Sequence, residues 1–144
     1  MKHFADASFL ISFCVRDKHR RKARECWEKL GTTMYTNRLA YFEAENAIRV
    51  LRVGRSITPE EELEGLEKLK RAVLEGFVEI RDVSIKRIHA EARRISLHNT
   101  NQRGFGAMDI LHIASAKDMD CDALLSFDDA QRQLAKAEGL KVLP

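Results

Sequence analysis

Three aspartates stand at positions where a carboxylate could serve a chemical purpose. Asp6 follows a short apolar segment, Asp109 lies within an otherwise apolar stretch, and Asp128 follows the apolar run 124–127. Together with Glu43 they form a set of four acids. Gathered carboxylates repel one another unless a divalent cation lies among them, and a ligand set of oxygen atoms favours Mg²⁺ or Mn²⁺. Such a centre activates water and stabilises charge on a phosphodiester, so the four acids predict metal-dependent hydrolysis.

Each aspartate also has an ordinary structural interpretation. Asp6 and Asp128 could cap the N-termini of the helices that follow them, because a short side-chain oxygen accepts a bond from the first turn. Asp109 could interact with the positive end of its own helix. Each residue taken alone fits either interpretation, whereas acids that recur at the ends of strands suggest a common purpose.

Glu43 is the acid whose helical neighbours are most informative. It is spaced at helical intervals from Leu39, Asn46 and Val50, which places these residues on one stripe of a helix. This spacing predicts that the carboxylate is half-buried and needs a partner. The alternative is an acid at the rim of the helix that pairs with a basic neighbour such as Arg49.

The segments that must position these acids alternate between strands and helices. Short apolar or β-branched segments predict strands at residues 3–5, 33–36, 77–80, 123–127 and 141–143. Capped, periodic segments predict helices from near residue 8 and over residues 17–30, 38–53, 59–75, 83–97, 107–118 and 128–137, with a polar loop at 98–106. The alternation predicts an α/β fold with a parallel sheet. In such sheets, ligands bind at the carboxyl ends of the strands, where the strand order reverses.

Length and composition limit the class of protein. The chain has 144 residues, of which 44% are hydrophobic and 33% are charged, which predicts a single globular domain over residues 1–144. Because it has no long apolar run and no signal-peptide pattern, we expect a cytoplasmic protein with no membrane partner. The cysteines Cys14, Cys26 and Cys121 form no metal-binding pair, and we expect small buried hydrophobic residues.

Positive charge is concentrated in the N-terminal third of the chain. The net charge is only +3, but residues 1–55 contain 12 lysines and arginines against 6 aspartates and glutamates. The densest segment includes Arg16, Arg20, Arg21 and Arg24. Such a patch could bind the phosphate backbone of a nucleic acid. The alternative is the solvated face of a helix.

Four segments that contain the acids carry a specific resemblance. They are Asp6-Ala7-Ser8-Phe9-Leu10, Glu43-Ala44-Glu45-Asn46, residues 108–116 and residues 124–128, followed by Leu134-Ala135 and Gly139-Leu140. In this order and spacing, over nearly the whole chain, they resemble the motifs of PIN-domain ribonucleases. The most similar members are the VapC-type toxins of bacterial and archaeal toxin–antitoxin pairs.

The resemblance implies both a fold and an activity. The implied fold is a three-layer α/β/α arrangement whose central parallel sheet has four to five strands in the order 3-2-1-4-5. The implied activity is that of an endoribonuclease that uses Mg²⁺ or Mn²⁺ to hydrolyse RNA. Asp6 and Asp109 would contact the metal directly, and Glu43 and Asp128 would complete the site, partly through water.

The resemblance also implies supporting residues and partners. Ser8 and Asn46 would hold carboxylates and water in place, with Asp129 as a further support. The tandem of Asp128 and Asp129 leaves open which acid faces the metal, although the motif favours Asp128. Members of this family usually form homodimers, bind RNA as substrate, and are silenced by an antitoxin that covers the groove.

Two other functions stay open at this point. A PIN-like scaffold would bind RNA or protein without cutting it, although loss of an acid is the usual mark of such members. A haloacid-dehalogenase-like phosphatase is suggested by Asp6 after a strand, but that chemistry needs a second acid at the position of Ser8. His112 could be a metal ligand in an Asp-x-x-His arrangement with Asp109, although a packed helix residue is the more common role.

Overall fold

The computed structural model describes residues 1–99 and 103–144. Along these residues the elements are β1 (His3–Ala5), α1 (Ala7–Cys14), α2 (Arg20–Leu30), β2 (Met34–Thr36), α3 (Arg38–Val53), α4 (Pro59–Leu74), β3 (Val78–Ile80), α5 (Ile85–Asn99), α6 (Ala107–Asp118), β4 (Ala123–Leu125), α7 (Asp129–Ala137) and β5 (Lys141–Leu143). The loop predicted at 98–106 begins later than expected, because α5 continues to Asn99. Residues 100–102 of that predicted loop lie outside the described residues.

The five strands form one parallel sheet in the order β3-β2-β1-β4-β5. In register, His3 of β1 lies between Met34 of β2 and Ala123 of β4. Since β1 connects to β2 on one side and pairs with β4 on the other, the strand order reverses between β1 and β4. This confirms the predicted order, and it places a ligand-binding crevice at the carboxyl end of β1.

Helices cover both faces of the sheet and enclose two hydrophobic clusters. Helices α1 to α4 pack together on one side, and α5, α6 and α7 pack together on the other. Phe4 and Ala5 of β1 belong to different clusters, because successive residues of a strand point to opposite faces. The three-layer α/β/α fold is therefore confirmed, and all three cysteines are buried and free, as predicted.

Capping residues explain why most helices begin where the sequence predicts. Asp6, Asn37 and Asp128 each accept a hydrogen bond from the backbone N–H three residues further on. Thr58 forms a complete capping box at the start of α4. At the other end of α2, Gly31 adopts a left-handed conformation with φ of 58° and terminates the helix.

Two elements are shorter than predicted by two residues or more, because side chains hold their ends differently. Helix α2 begins at Arg20 rather than at residue 17, since the carboxylate of Asp17 accepts bonds from the Ser12 hydroxyl and from the backbone N–H of His19. Strand β4 ends at 125 rather than 127, since the backbone N–H of Phe127 donates to a serine hydroxyl and not to a neighbouring strand. Within the described residues, no helix has the length and apolar character needed to cross a membrane.

Candidate active site

Asp6 lies at the carboxyl end of β1, and its side chain is fully buried. One carboxylate oxygen, Oδ1, accepts hydrogen bonds from the backbone N–H of Phe9 at 2.9 Å and from the Ser8 hydroxyl at 2.7 Å. The other, Oδ2, accepts a bond from the hydroxyl of Ser126. Burial raises the pKa of Asp6 to about 6, even though the three hydrogen bonds favour the charged form. The acid is thus held in a fixed orientation at a cost in charge solvation.

Two serine hydroxyls connect Asp6 to the end of β4. Ser126 Oγ accepts a bond from the backbone N–H of Asp128 at 3.0 Å, and Ser8 Oγ accepts one from the backbone N–H of Phe127 at 2.9 Å. The two hydroxyl oxygens lie 3.3 Å apart. The sequence singles out Ser8 but not Ser126, although a hydroxyl between a buried strand and an acid was a usable signal. The ends of β1 and β4 are therefore joined through one polar network.

Glu43 of α3 contacts a buried histidine of α6. Its Oε2 lies 2.5 Å from Nε2 of His112, whose ring is completely buried. Asn37 Nδ2 lies 3.4 Å from Nδ1 of the same ring and donates to Ser115 Oγ at 3.0 Å. Because the Asn37 amide is a donor, Nδ1 of the ring accepts, and Nε2 carries the hydrogen that is donated to Glu43. Among the described residues the basic partner of Glu43 is thus His112, and no ion pair with Arg49 is formed.

The buried face of α3 is offset from the stripe that the spacing predicts. Val50 is 59% exposed and Asn46 is exposed, while Glu43 lies at the border of the buried face. The residues of α3 that are buried are Ala40, Ala44 and Ile48. Asn46 forms no hydrogen bond with any of the four acids in the described part of the chain. The structure thus brings Glu43 to the site and leaves Asn46 on the surface.

Asp109 lies in the first turn of α6 and is partly buried. Its pKa is raised by burial first, then by the negative charges of Asp128 and Glu43, whereas His112 and a hydrogen bond from Gln131 lower it. These electrostatic effects show that the three acids lie near one another. Gln131, which the sequence does not single out, is buried, and its Oε1 has no hydrogen-bond partner among the described residues.

The tandem aspartates occupy different positions at the start of α7. Asp128 is the N-cap, and its Oδ1 accepts a bond from the backbone N–H of Gln131 at 2.8 Å. Asp129 lies in the first turn of the helix, and both residues are exposed. The charge of Asp128 contributes to the raised pKa of Asp109. This favours Asp128 as the acid that faces the other carboxylates.

The four acids match a divalent cation in type and charge. None of them forms an ion pair with a lysine or arginine in the described ranges, and the only such contact is that of Glu43 with His112. Uncompensated carboxylates of this kind suit Mg²⁺ or Mn²⁺. As the side chains are placed, however, no three His, Cys, Asp or Glu residues among those described lie close enough to hold one ion. The carboxylate oxygens are thus of the type that Mg²⁺ or Mn²⁺ prefers, but the described side chains do not form a complete metal site in this conformation.

The predicted RNA-binding arginines cluster around the start of α2. Burial and the neighbouring charges of Arg24 and Arg16 lower the pKa of Arg20, which shows that these guanidinium groups lie close together. Arg21 is exposed, and its Nε lies 3.9 Å from Oε1 of Glu25, one turn further along α2. Glu64 of α4 offsets part of this charge, because it lies near Arg16 and Arg20. The arginine cluster is therefore less positive than the sequence suggests.

Comparisons with known proteins agree with this architecture. The sequence profile of the PIN domain matches residues 4–137, and no curated protein sequence matches the chain. A solved structure of VapC20 from Mycobacterium tuberculosis, described as a sarcin-ricin loop cleaving toxin, has a TM-score of 0.72 at 15% identity and covers 99% of this chain and 100% of its own. PAE2754 from Pyrobaculum aerophilum has a TM-score of 0.60 at 19% identity, and the match covers 99% of this chain and 89% of PAE2754. FitAcB from Neisseria gonorrhoeae has a TM-score of 0.65 at 17% identity, and the match covers 99% of this chain and 96% of the matched FitAcB chain. At these identities the likeness is one of fold.

Proposed function

This chain belongs to the PIN domain family, and on that basis we propose that it is a metal-dependent endoribonuclease that hydrolyses RNA at its four carboxylates. The observation that carries the proposal is the electrostatic state of Asp109. Its pKa is raised first by burial and then by the charges of Asp128 and Glu43, while no lysine or arginine in the described ranges pairs with these acids. Such an arrangement is costly for a protein that does not use it to bind a cation.

Each acid has a role in this proposal. Asp6 and Asp109 hold Mg²⁺ or Mn²⁺ directly, and Glu43 and Asp128 complete the site, partly through water. When it is bound, the ion supplies a water of lowered pKa and stabilises negative charge on the phosphate. The residues of the chain orient these ligands: the hydroxyls of neighbouring serines hold Asp6, and His112 donates a hydrogen bond to Glu43.

The backbone of the chain favours an anionic substrate at the same edge. Helices α1, α3 and α7 each begin within a few residues of the carboxyl end of a strand. Their N-termini carry partial positive charge and backbone N–H groups, which stabilise a bound phosphate. Arg16, Arg20, Arg21 and Arg24 extend this attraction to the rest of the RNA backbone, in a manner that salt weakens.

The proposed partners follow from family membership and from one exposed face. VapC20, which shares the fold, is described as a toxin, and we assign this chain the same role, with a cognate antitoxin covering its groove. Helix α3 exposes Phe42, Val50 and Val53, at 59%, 59% and 70% of their surface. Their spacing places them on one side of the helix. This apolar side supports a homodimer.

One observation favours a scaffold that binds RNA without cutting it. The carboxylate of Asp6 is completely buried and all its described contacts are with the chain itself. The phosphatase alternative has no such support, because position 8 carries a hydroxyl that donates to Asp6 and not a second acid.

The test compares wild type and Asp109→Asn on mixed RNA in the presence of Mg²⁺, Mn²⁺ or EDTA. We expect cleavage by the wild type with either metal and none with EDTA. The variant should cut at least about a hundredfold more slowly, since even the residues behind a metal ligand are worth up to that factor. Asp120→Asn is the matched control, because Asp120 lies between α6 and β4, at the amino end of the sheet, and should retain full activity.

If no RNA is cleaved in any condition, there are two explanations, and gel electrophoresis of the protein preparation distinguishes them. A second small band in the preparation indicates a copurified antitoxin, and its removal should restore cleavage. A single clean band without cleavage in any condition contradicts the nuclease and favours the scaffold.

A further inference from the structure

Three aromatic rings form a stack beside the carboxylates. The rings of Phe9 and Phe127 are nearly parallel at 9°, with centroids 5.8 Å apart, and those of Phe127 and His19 are parallel within 7°, with centroids 4.3 Å apart. Phe9 is completely buried, whereas Phe127 and His19 are half-buried. The stack therefore runs from the core to the surface and ends on the imidazole of His19.

The backbone of Phe127, which carries the middle ring of the stack, is fixed to the carboxylate network. Phe127 lies between Ser126, which donates to Asp6, and Asp128, which caps α7. The backbone N–H of Phe127 donates to Ser8 Oγ at 2.9 Å. A ligand that rests on this stack is consequently held next to the carboxyl end of β1.

The imidazole of His19 stacks on Phe127 but does not cap the helix that follows it. His19 precedes α2 as its N-cap residue, but its side chain makes no capping hydrogen bond. Its backbone is held instead, because its N–H donates to Asp17 Oδ1 at 2.9 Å and Asp17 Oδ2 accepts from Ser12 at 2.6 Å. Within the described residues the ring forms no hydrogen bond or ion pair, and it stacks on Phe127. The backbone is thus anchored while the ring is left available.

We propose that His19, supported by Phe127, is the stacking platform for an unpaired nucleobase of the RNA beside the scissile phosphate. This inference rests on the proposed function, to which it adds the side chains that would contact an unpaired base at the cut. Aromatic rings next to positive charge are the usual means of binding single strands, since each base stacks while the backbone follows the cations. Arg20 directly follows His19, and Arg16 lies near it. A base inside a duplex is already stacked on its neighbours and cannot use the platform.

Binding in a cleavage-deficient background tests the platform. The parent is Asp109→Asn, and the probe is short single-stranded RNA of random sequence, labelled for fluorescence anisotropy. A ribose-phosphate chain of equal length without bases serves as the second ligand. We expect His19→Leu to weaken RNA binding about tenfold, since stacking of one base is worth about 1–3 kcal/mol. Binding of the base-free chain should not change.

Two further variants separate stacking from folding. His19→Trp restores a larger ring at the same position and should bind RNA at least as tightly as the parent. His89→Leu replaces an exposed histidine of α5, on the other side of the sheet, and should have no effect on either ligand.

Three outcomes would overturn the platform. His19→Leu binds RNA as tightly as the parent, or it loses RNA and the base-free chain to the same extent, or His19→Trp behaves like His19→Leu. If the wild type still cuts mixed RNA with Mn²⁺ in those cases, only the platform fails. A wild type that neither cuts nor binds RNA contradicts the proposed function itself.

Discussion

The carboxylate of Asp6 is ionised at neutral pH only at a cost in free energy. Burial raises its pKa to about 6, and the hydrogen bonds from Ser126, Ser8 and the Phe9 backbone recover only part of the lost solvation. A divalent cation would repay this cost, because it favours the charged form of each ligand. The cost of ionising Asp6 in the folded protein is therefore consistent with its proposed role as a metal ligand.

The pH dependence of stability should reveal this cost. A raised pKa means that folded protein binds the proton of Asp6 more tightly than unfolded protein, so this contribution to stability is present below about pH 4 and is lost as the pH rises to about 6. In EDTA, the free energy of unfolding of Asp6→Asn relative to that of the wild type should thus increase by up to about 3 kcal/mol between pH 4 and pH 7.

Urea unfolding of both proteins across this pH range measures the difference. The comparison of the two proteins also cancels the contribution of His3, whose pKa is lowered mainly by burial. A change in hydrogen bonding at position 6 shifts the difference by a constant and leaves its slope intact. A difference that is flat with pH contradicts the raised pKa of Asp6.

The places of the candidate acids in the fold could be predicted from the sequence, but their hydrogen-bond partners could not. Asp6 and Asp128 were recognisable because each follows a buried segment, and a residue at the end of a strand has a known place in the fold. The partner of Glu43, in contrast, is His112, which is 69 residues away in the chain. That contact depends on how α3 packs near α6, which no local pattern contains.

At the scale of elements, Gly65 allows α4 to lie close to α1 and α3. A Cβ atom at this position would lie 2.8 Å from Cγ1 of Val15 and 3.6 Å from Cγ2 of Ile48. Val15 follows α1, and Ile48 is buried on α3. Helices α1, α3 and α4 therefore meet where α4 lacks a side chain.

This contact predicts that Gly65→Ala destabilises the protein although alanine is the better helix former. The gain in helix propensity is about 1 kcal/mol, whereas overpacking a tight contact costs about 1–3 kcal/mol. The branched Val15 has little freedom to move aside. We expect a net loss of about 1 kcal/mol in urea unfolding. The double variant Val15→Ala/Gly65→Ala should show less destabilisation than the sum of the two single variants. Increased stability of Gly65→Ala would contradict the close packing.

The boundaries of elements follow local chemistry where a single residue determines them. Asn37 and Thr58 cap helices that begin as predicted, because a cap requires only its own first turn. The start of α2 was predicted too early, since Asp17 is bound by Ser12 of α1 rather than by its own helix. The buried face of α3 was misplaced because both Glu43 and its apolar neighbours fit more than one helical stripe. Local signals therefore predict where an element begins when its cap lies in its own first turn, and they do not predict which side the element buries.

At the scale of the whole molecule, the apolar side of α3 borders the candidate site. Phe42 is adjacent in sequence to Glu43, and Val50 and Val53 continue the same side towards the end of the helix. A second copy that covers this side would exclude water from apolar surface and form one border of the groove. A stable interface of this type needs about 800 Å² from each copy, which is more than one helix face supplies. Neighbouring residues such as Leu63 of α4, which is 70% exposed, would extend the area.

The homodimer is tested with charges placed on this side of α3. Val50→Asp/Val53→Asp should weaken self-association by a hundredfold or more, because a buried unpaired carboxylate costs several kcal/mol. Sedimentation velocity over a concentration series measures the association, and circular dichroism checks that the variant is folded. Leu97→Asp, at an equally exposed leucine of α5, is the matched control and should remain dimeric. A monomeric wild type would contradict the homodimer, and dissociation by Leu97→Asp alone would move the interface to α5. If the α3 variant is a folded monomer that still cuts RNA, each copy contains a complete site and the dimer serves only to form the border of the groove.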